Sequence, residues 1–193
     1  HADVLRHDQE IHPDIVILTG NVRLRHGSWI MTCDSANLNE TTNSFDAFGH
    51  VQILEGDSIS ITAGEMLYDG MTAMAELHDN VILTKNVTTL FTERLFYDRN
   101  QKVGYYDNFG TLADSVNTLT SIYGEYNTSS DEALFQNDVH LENDRFTLDT
   151  DILHYNTKTS ICRIVSPTLI ETKDSVTIET DRGFYNTDTE QSI

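Results

Sequence analysis

Leu90-Phe91-Thr92-Glu93-Arg94-Leu95-Phe96-Tyr97-Asp98 is followed 29 residues later by Leu119-Thr120-Ser121-Ile122-Tyr123-Gly124-Glu125-Tyr126-Asn127, and after another 29 by Leu148-Asp149-Thr150-Asp151-Ile152-Leu153-His154-Tyr155-Asn156. The tyrosine column extends outward to Tyr68 and Tyr185, and each member is followed by Asp or Asn. Three more columns keep the same register: Ile61, Leu90, Leu119, Leu148, Ile178; the small residues Ala63, Thr92, Ser121, Thr150, Thr180; and Met66, Leu95, Gly124, Leu153, Gly183. Several columns sharing one period mark a repeat array.

A second block recurs between the tyrosines: Gly20-Asn21-Val22, Gly49-His50-Val51, Asp79-Asn80-Val81, Asn137-Asp138-Val139 and Ser166-Pro167-Thr168, kept loosely at Asp107-Asn108-Phe109-Gly110-Thr111. Around it apolar residues of one parity (Leu18, Val22, Leu24; Phe135, Val139, Leu141) alternate with polar ones, the pattern of a strand with one dry and one wet face. Asp69-Gly70, Asp98-Arg99-Asn100, Asn127-Thr128-Ser129 and Asn156-Thr157-Lys158 supply Asx turn chemistry, and Glu55-Gly56-Asp57, Lys85-Asn86 and Asn143-Asp144 mark a second set of reversals. Each repeat is therefore an antiparallel hairpin. The inward set of the tyrosine strand slips phase between Thr92 and Leu95, which predicts a bulge or corner. The first unit carries Asn39 where later units have Tyr, and Leu5-Arg6-His7-Asp8 reads as a half repeat before it. The expected fold is all-β: a repetitive antiparallel two-sheet β-jellyroll of about six 29-residue hairpin units with one dry interior.

The 193 residues carry 31 acidic and 12 basic side chains, a net charge of −19. Such an excess argues against nucleic acid and against an anionic membrane surface, both of which demand Lys and Arg. At 38% apolar the chain is too hydrophobic for a disordered acidic tail. No run approaches the roughly 18 apolar residues of a spanning helix, and no signal segment opens the sequence, which fits a cytosolic chain or an exported, processed one. Two cysteines, Cys33 and Cys162, are too few for a disulfide framework and lack zinc spacing. Lying about four repeats apart in a stacked array, they are expected to stay unpaired. The eight histidines, His12 among them, form no metal motif, and no phosphate loop, nucleophile elbow or dinucleotide fingerprint is present. No metal and no cofactor are expected.

The ordered series Gly20-Asn21-Val22, Cys33-Asp34-Ser35-Ala36, Ala47-Phe48-Gly49-His50-Val51, Leu67-Tyr68-Asp69-Gly70, Leu119-Thr120-Ser121 and Gly124-Glu125-Tyr126 resembles the OstA-like family, the organic-solvent-tolerance superfamily of LptA-like lipopolysaccharide-transport β-jellyrolls. The resemblance runs from about Ala2 to Tyr185. It implies a single OstA-like domain over residues 1–193, in a mature or trimmed chain, working in the periplasm of a diderm bacterium beside the outer membrane. It also implies an apolar groove for lipid acyl chains.

Transferred to this sequence, the groove would be lined by Val22, Val51, Val81, Val139, Ile61, Leu90, Leu119 and Leu148. The cargo would be lipopolysaccharide or a related acyl lipid. Open strand edges would invite head-to-tail self-association or docking to another β-jellyroll transport component. The small column, with Gly124 and Gly183, would leave space between the sheets. The tyrosine ladder reads as structural, its rings stacked and its hydroxyls satisfied at the rim. Two other classes stay open at this point. A structural β-repeat scaffold without cargo predicts a tightly filled interior. A polysaccharide-active enzyme on the same scaffold predicts a local break in the repeat, with acidic and basic residues gathered on one face.

Overall fold

The structure, a computed structural model, describes residues 1–7, 14–189 and 191–192. Asp8 of the half repeat and His12 lie outside the described residues. The chain forms two compact units, residues 1–86 with 93–101, and residues 87–92 with 102–193. Among the described residues every regular element is a strand, and every pairing is antiparallel, as the 29-residue register predicts.

The first unit contains β1 (Val4–His7), β2 (Ile15–His26), β3 (Trp29–Asn39), β4 (Ser44–Glu55), β5 (Ile59–Asp69), β6 (Met74–Lys85) and the second half of β7 (Thr88–Asp98). β1 is the half repeat, lying against β2 with Val4 opposite Thr19. The second unit takes the first half of β7, then β8 (Val103–Tyr106), β9 (Gly110–Ala113), β10 (Thr118–Ser121), β11 (Tyr123–Asn127), β12 (Glu132–Glu142) and β13 (Phe146–Asn156). It ends with β14 (Ile161–Ile164), β15 (Thr168–Thr172), β16 (Thr177–Thr180), β17 (Gly183–Asn186) and β18 (Gln191–Ser192).

Each long strand bends at its middle, and the recurrent block is the bend. Gly20 and Asn21 both have positive φ (78° and 46°), as do Gly49 and His50, Asp79 and Asn80, and Asn137 and Asp138. Glycine reaches this left-handed region freely, and Asn and Asp are the other residues that tolerate it. That is why the block reads Gly-Asn, Gly-His, Asp-Asn, Asn-Asp. The extra residue sits on this strand, not on the tyrosine strand: Asn137 and Asp138 together oppose Asp151 between the pairs Gln136–Ile152 and Val139–Thr150. The tyrosine strand slips phase because its partner turns the corner.

The strands β3, β4 and β5 keep the same neighbours on both sides of the corner, whereas β13 changes one of them. In β13, residues 146–150 pair with β15 and residues 153–156 with β14. The strands thus bend at their corners into two facing layers, and apolar side chains from both halves are buried on the inner face, including Leu112, Phe135, Leu141, Leu148, Leu153 and Ile164 in the second unit.

At one end of the hairpins the Asx column builds the turns. Asp98 Oδ1 accepts from the backbone N–H of Asn100 and Gln101 (2.8 and 2.9 Å), and Asn127, Asn156 and Asn186 repeat the pattern two and three residues on. Asn39 does the same for Thr41 and Thr42. The first unit therefore departs from expectation: Asn39 belongs to the Asx column, and Leu38, paired with Phe45, holds the tyrosine place.

Candidate functional site

The residues expected to line a groove are all inward and at most 1% exposed. In the first unit, Leu24, Met31, Ile53, Ile61 and Leu83 stand opposite one another on successive strands, forming one cross-strand ladder. Val22 and Val51 follow the corners, facing Cys33 and Ala63, and Val81 is equally buried. In the second unit the ladder is Leu90, Leu112, Leu119, Leu141, Leu148 and Ile170, again in register, with Val139 opposite Thr150 at the corner. Leu112 is the rung missed when the fourth repeat is read loosely. Burying each such side chain contributes roughly 1.5–3 kcal/mol.

The small column has a different task from the one expected. Ser121 Oγ donates to Tyr123 O (2.8 Å), Thr180 Oγ1 to Arg182 O (3.0 Å), Thr92 Oγ1 to Phe109 O (2.8 Å) and Cys33 Sγ to Ser35 O (3.2 Å). These side chains satisfy carbonyls near the corners. Gly124 leaves no room: the Tyr106 ring fills that space, and Tyr106 OH lies 2.6 Å from Ser121 Oγ. Burial pushes the Tyr106 phenol up to about 12.

The tyrosines are buried in both units. Their fit depends on a small residue on the neighbouring strand: Tyr68 faces Ala75, Tyr126 lies between Gly104 and Ala133, and Tyr155 between Ala133 and Cys162. The ring neighbours of Tyr68 include Phe45, Trp29 and His26 (centroids 5.0, 6.2 and 6.5 Å), and Tyr185 meets Phe146 edge-on at 4.9 Å.

Phe45 is the cross-strand partner of Tyr68, whereas the Trp29–Tyr68 and Phe146–Tyr185 pairs belong to a seam where opposite rims of the bent strands meet. The first inward residue after each second-type reversal forms its own column at the repeat spacing: Trp29, Ile59, Thr88, Asn117, Phe146. In the first unit Trp29 packs against Tyr68 and Tyr97, and Arg99 lies over its ring at 5.0 Å while donating from Nη2 to His26 O (2.9 Å). In the second unit the seam is aromatic at Phe146 and polar at Asn117. Asn117 Nδ2 donates to Tyr155 OH (2.8 Å) and Thr187 Oγ1 (2.9 Å), and its Oδ1 accepts from Asn143 Nδ2 (3.0 Å). Tyr155 OH donates to Asp114 Oδ2 (2.5 Å); burial first, then this carboxylate, raises the phenol above its ordinary range. This column escaped the sequence reading because its members share a position and no chemistry.

Both cysteines are buried free thiols, and burial raises each above its ordinary value. Among the described residues no three or more His, Cys, Asp or Glu side chains gather to hold a metal. His50 Nδ1 lies 2.8 Å from Asp34 Oδ2 and His140 Nδ1 2.6 Å from Asp149 Oδ1, both at the exposed corners.

Residues 1–151 match the family model described as OstA-like protein. No curated protein matches. The crystal structure of LptH, the LptA-homologous periplasmic component of the lipopolysaccharide transport device of Pseudomonas aeruginosa, is similar at 14% identity and a TM-score of 0.47, over 51% of this chain and 76% of that one.

Proposed function

Because the chain belongs to the OstA-like protein family, we propose that it is a periplasmic lipid-binding component of lipopolysaccharide transport, shielding acyl chains between its two sheets on the way to the outer membrane. The observation that carries this reading is the pair of in-register apolar ladders, with Val22, Val51, Val81, Ile61, Val139, Leu90, Leu119 and Leu148 among their rungs and neighbours, each closed to water. An acyl chain between such ladders gains roughly 0.8 kcal/mol per methylene withdrawn from water. Part of that gain is offset, because the lipid displaces side chains that already pack against one another. Weak net binding suits a carrier that must release its cargo.

The same family context supports docking to another β-jellyroll or to a second copy. Among the described residues β1 pairs with β2 alone and β16 with β15 alone, so each presents a strand edge. The burial of these eight side chains to 1% exposure or less also suits one other reading, a structural β-repeat scaffold without cargo.

Photo-crosslinkers at Leu90 and at His140 separate the two. Leu90 is inward and His140 faces solvent beside Asp149. In the native envelope, lipid is expected on Leu90 and not on His140. Equal labelling, or none at either site, would leave the scaffold reading in its place.

A further inference from the structure

We infer that acyl chains enter the first unit through the seam beside Trp29, and that the Arg99 side chain is the strap holding this port shut. The inference rests on the lipid-binding reading and names its entry site. Arg99 follows Asp98 in an Asx turn on one rim, while His26 and Trp29 flank the reversal on the other. The guanidinium crosses between them, with Nη2 on His26 O, Nη1 at 3.5 Å from Tyr68 OH and the plane of charge 5.0 Å above the indole. A positive φ of 63° at Gly27, where a Cβ would stand 3.0 Å from Arg99 Nη2, keeps room for the strap.

Beneath the strap lies a cavity of about 20 Å3 lined by Leu24, Met31, Phe45, Trp29 and Tyr68. Leu24 and Met31 are the first rungs of the apolar ladder that continues through Ile53 and Ile61. A hydrocarbon chain passing the rim would therefore meet apolar surface at once.

The closed port also carries a built-in penalty. Trp29 Nε1 is buried and has no acceptor among the described residues. A buried donor left unpaired disfavours the state that buries it, and parting the rims would give the indole water. Asn117 holds the same column position in the second unit and has partners for both its amide atoms. The first unit's seam is thus the one poised to open.

Trp29 is the sole tryptophan, so its emission reports the port directly. The probe is a fatty acid brominated along its chain, whose bromines quench indole on contact, added to the full chain. Binding is followed in parallel by retention of the radiolabelled acid. Quenching of Trp29 on binding is expected, with Arg99→Ala raising its rate about tenfold. Arg99→Lys, which keeps the charge and loses the planar fork, should fall between and serves if the alanine variant does not fold. Trp29→Phe removes the unpaired N–H and should slow uptake of the radiolabelled acid. Retention with Trp29 unquenched, or rates indifferent to Arg99, would overturn the port while leaving lipid binding intact. Absence of retention in every variant would overturn both.

Discussion

Tyr106 and Gly124 share one volume: a Cβ on residue 124 would stand 2.5 Å from the Tyr106 ring. The backbone of β11 thus carries no side chain at the point where the phenol lies across it. Gly124→Ala should lower stability by about 1–3 kcal/mol, as overpacking does. Replacing Tyr106 by Leu in the same background should recover part of the loss, a coupling that urea titration of the single and double variants would reveal.

The corners make a second demand. Gly49 sits at φ 73° with the Asp34 carboxyl against its Cα. Gly49→Ala is expected to cost roughly 1–2 kcal/mol from the left-handed backbone alone. His50→Asn, a residue that suits φ 46°, should cost less than 0.5 kcal/mol, about the limit for a harmless surface change. Equal losses for the two variants in thermal melts would contradict the corner geometry.

Asp69 accepts from the backbone N–H of Met71, and this bond, with the Thr72 hydroxyl, holds its carboxyl below the ordinary value of 3.8. A depressed folded pKa adds stability that is present above the unfolded value and is lost as pH falls through the folded one. Asp69→Asn keeps an acceptor oxygen and removes the charge. The Tm advantage of the natural chain over this variant should therefore be largest near neutrality and shrink as pH drops below 3.8.

Cys162 is fully buried beside Tyr155 and Tyr185, and burial raises its thiol. Iodoacetamide should modify it in the folded protein at under about one-hundredth the rate of a free cysteine, because both access and thiolate are denied. In denaturant both Cys33 and Cys162 should react fully. Rapid labelling of the native chain at Cys162 would mean that the second unit's tyrosine ladder opens easily.

An Asp at position 81 or 119 places a carboxylate on a dry rung. Each substitution should cost more than about 3 kcal/mol, the scale of an unpaired buried charge. Circular dichroism melts measure this directly.

Much of the fold is legible in the sequence because strands and turns repeat with the backbone. The columns headed by Ile61, Met66 and Tyr68, and the Asx residues after each tyrosine, follow from one period, and the slip between Thr92 and Leu95 announces the bend. Which strand carries the extra residue was not legible: both strands show apolar alternation, and the register around Asp151, with the positive φ angles at Asn137 and Asp138, settles it. Ser121 and Thr180 look like fillers in a column with Ala63, yet their hydroxyls serve the corner carbonyls. Tyr106 stands 29 residues from both Leu77 and Phe135, so the spacing places it inward, but nothing in that spacing tells that Gly124 makes way for its ring. The seam joins residues such as Trp29 and Tyr68, or Asn117 and Tyr155, 38–39 positions apart and unrelated in type. Spacing alone could have flagged that column, but its chemistry changes at every step.

That change of chemistry bears on how the chain folds. In an array of near-identical hairpins, a strand displaced by 29 residues meets almost the same neighbours, and misregistered stacking is the natural error. Along the seam the substitution of one rung for another is not neutral. If Phe146 took the place of Asn117, Tyr155 and Thr187 would lose a buried donor, and an amide carried to the place of Trp29 would face rings. Each polar group stranded in this way costs about 1–3 kcal/mol. The chain thereby counts its own rungs, using side chains that taken singly look like flaws in the repeat.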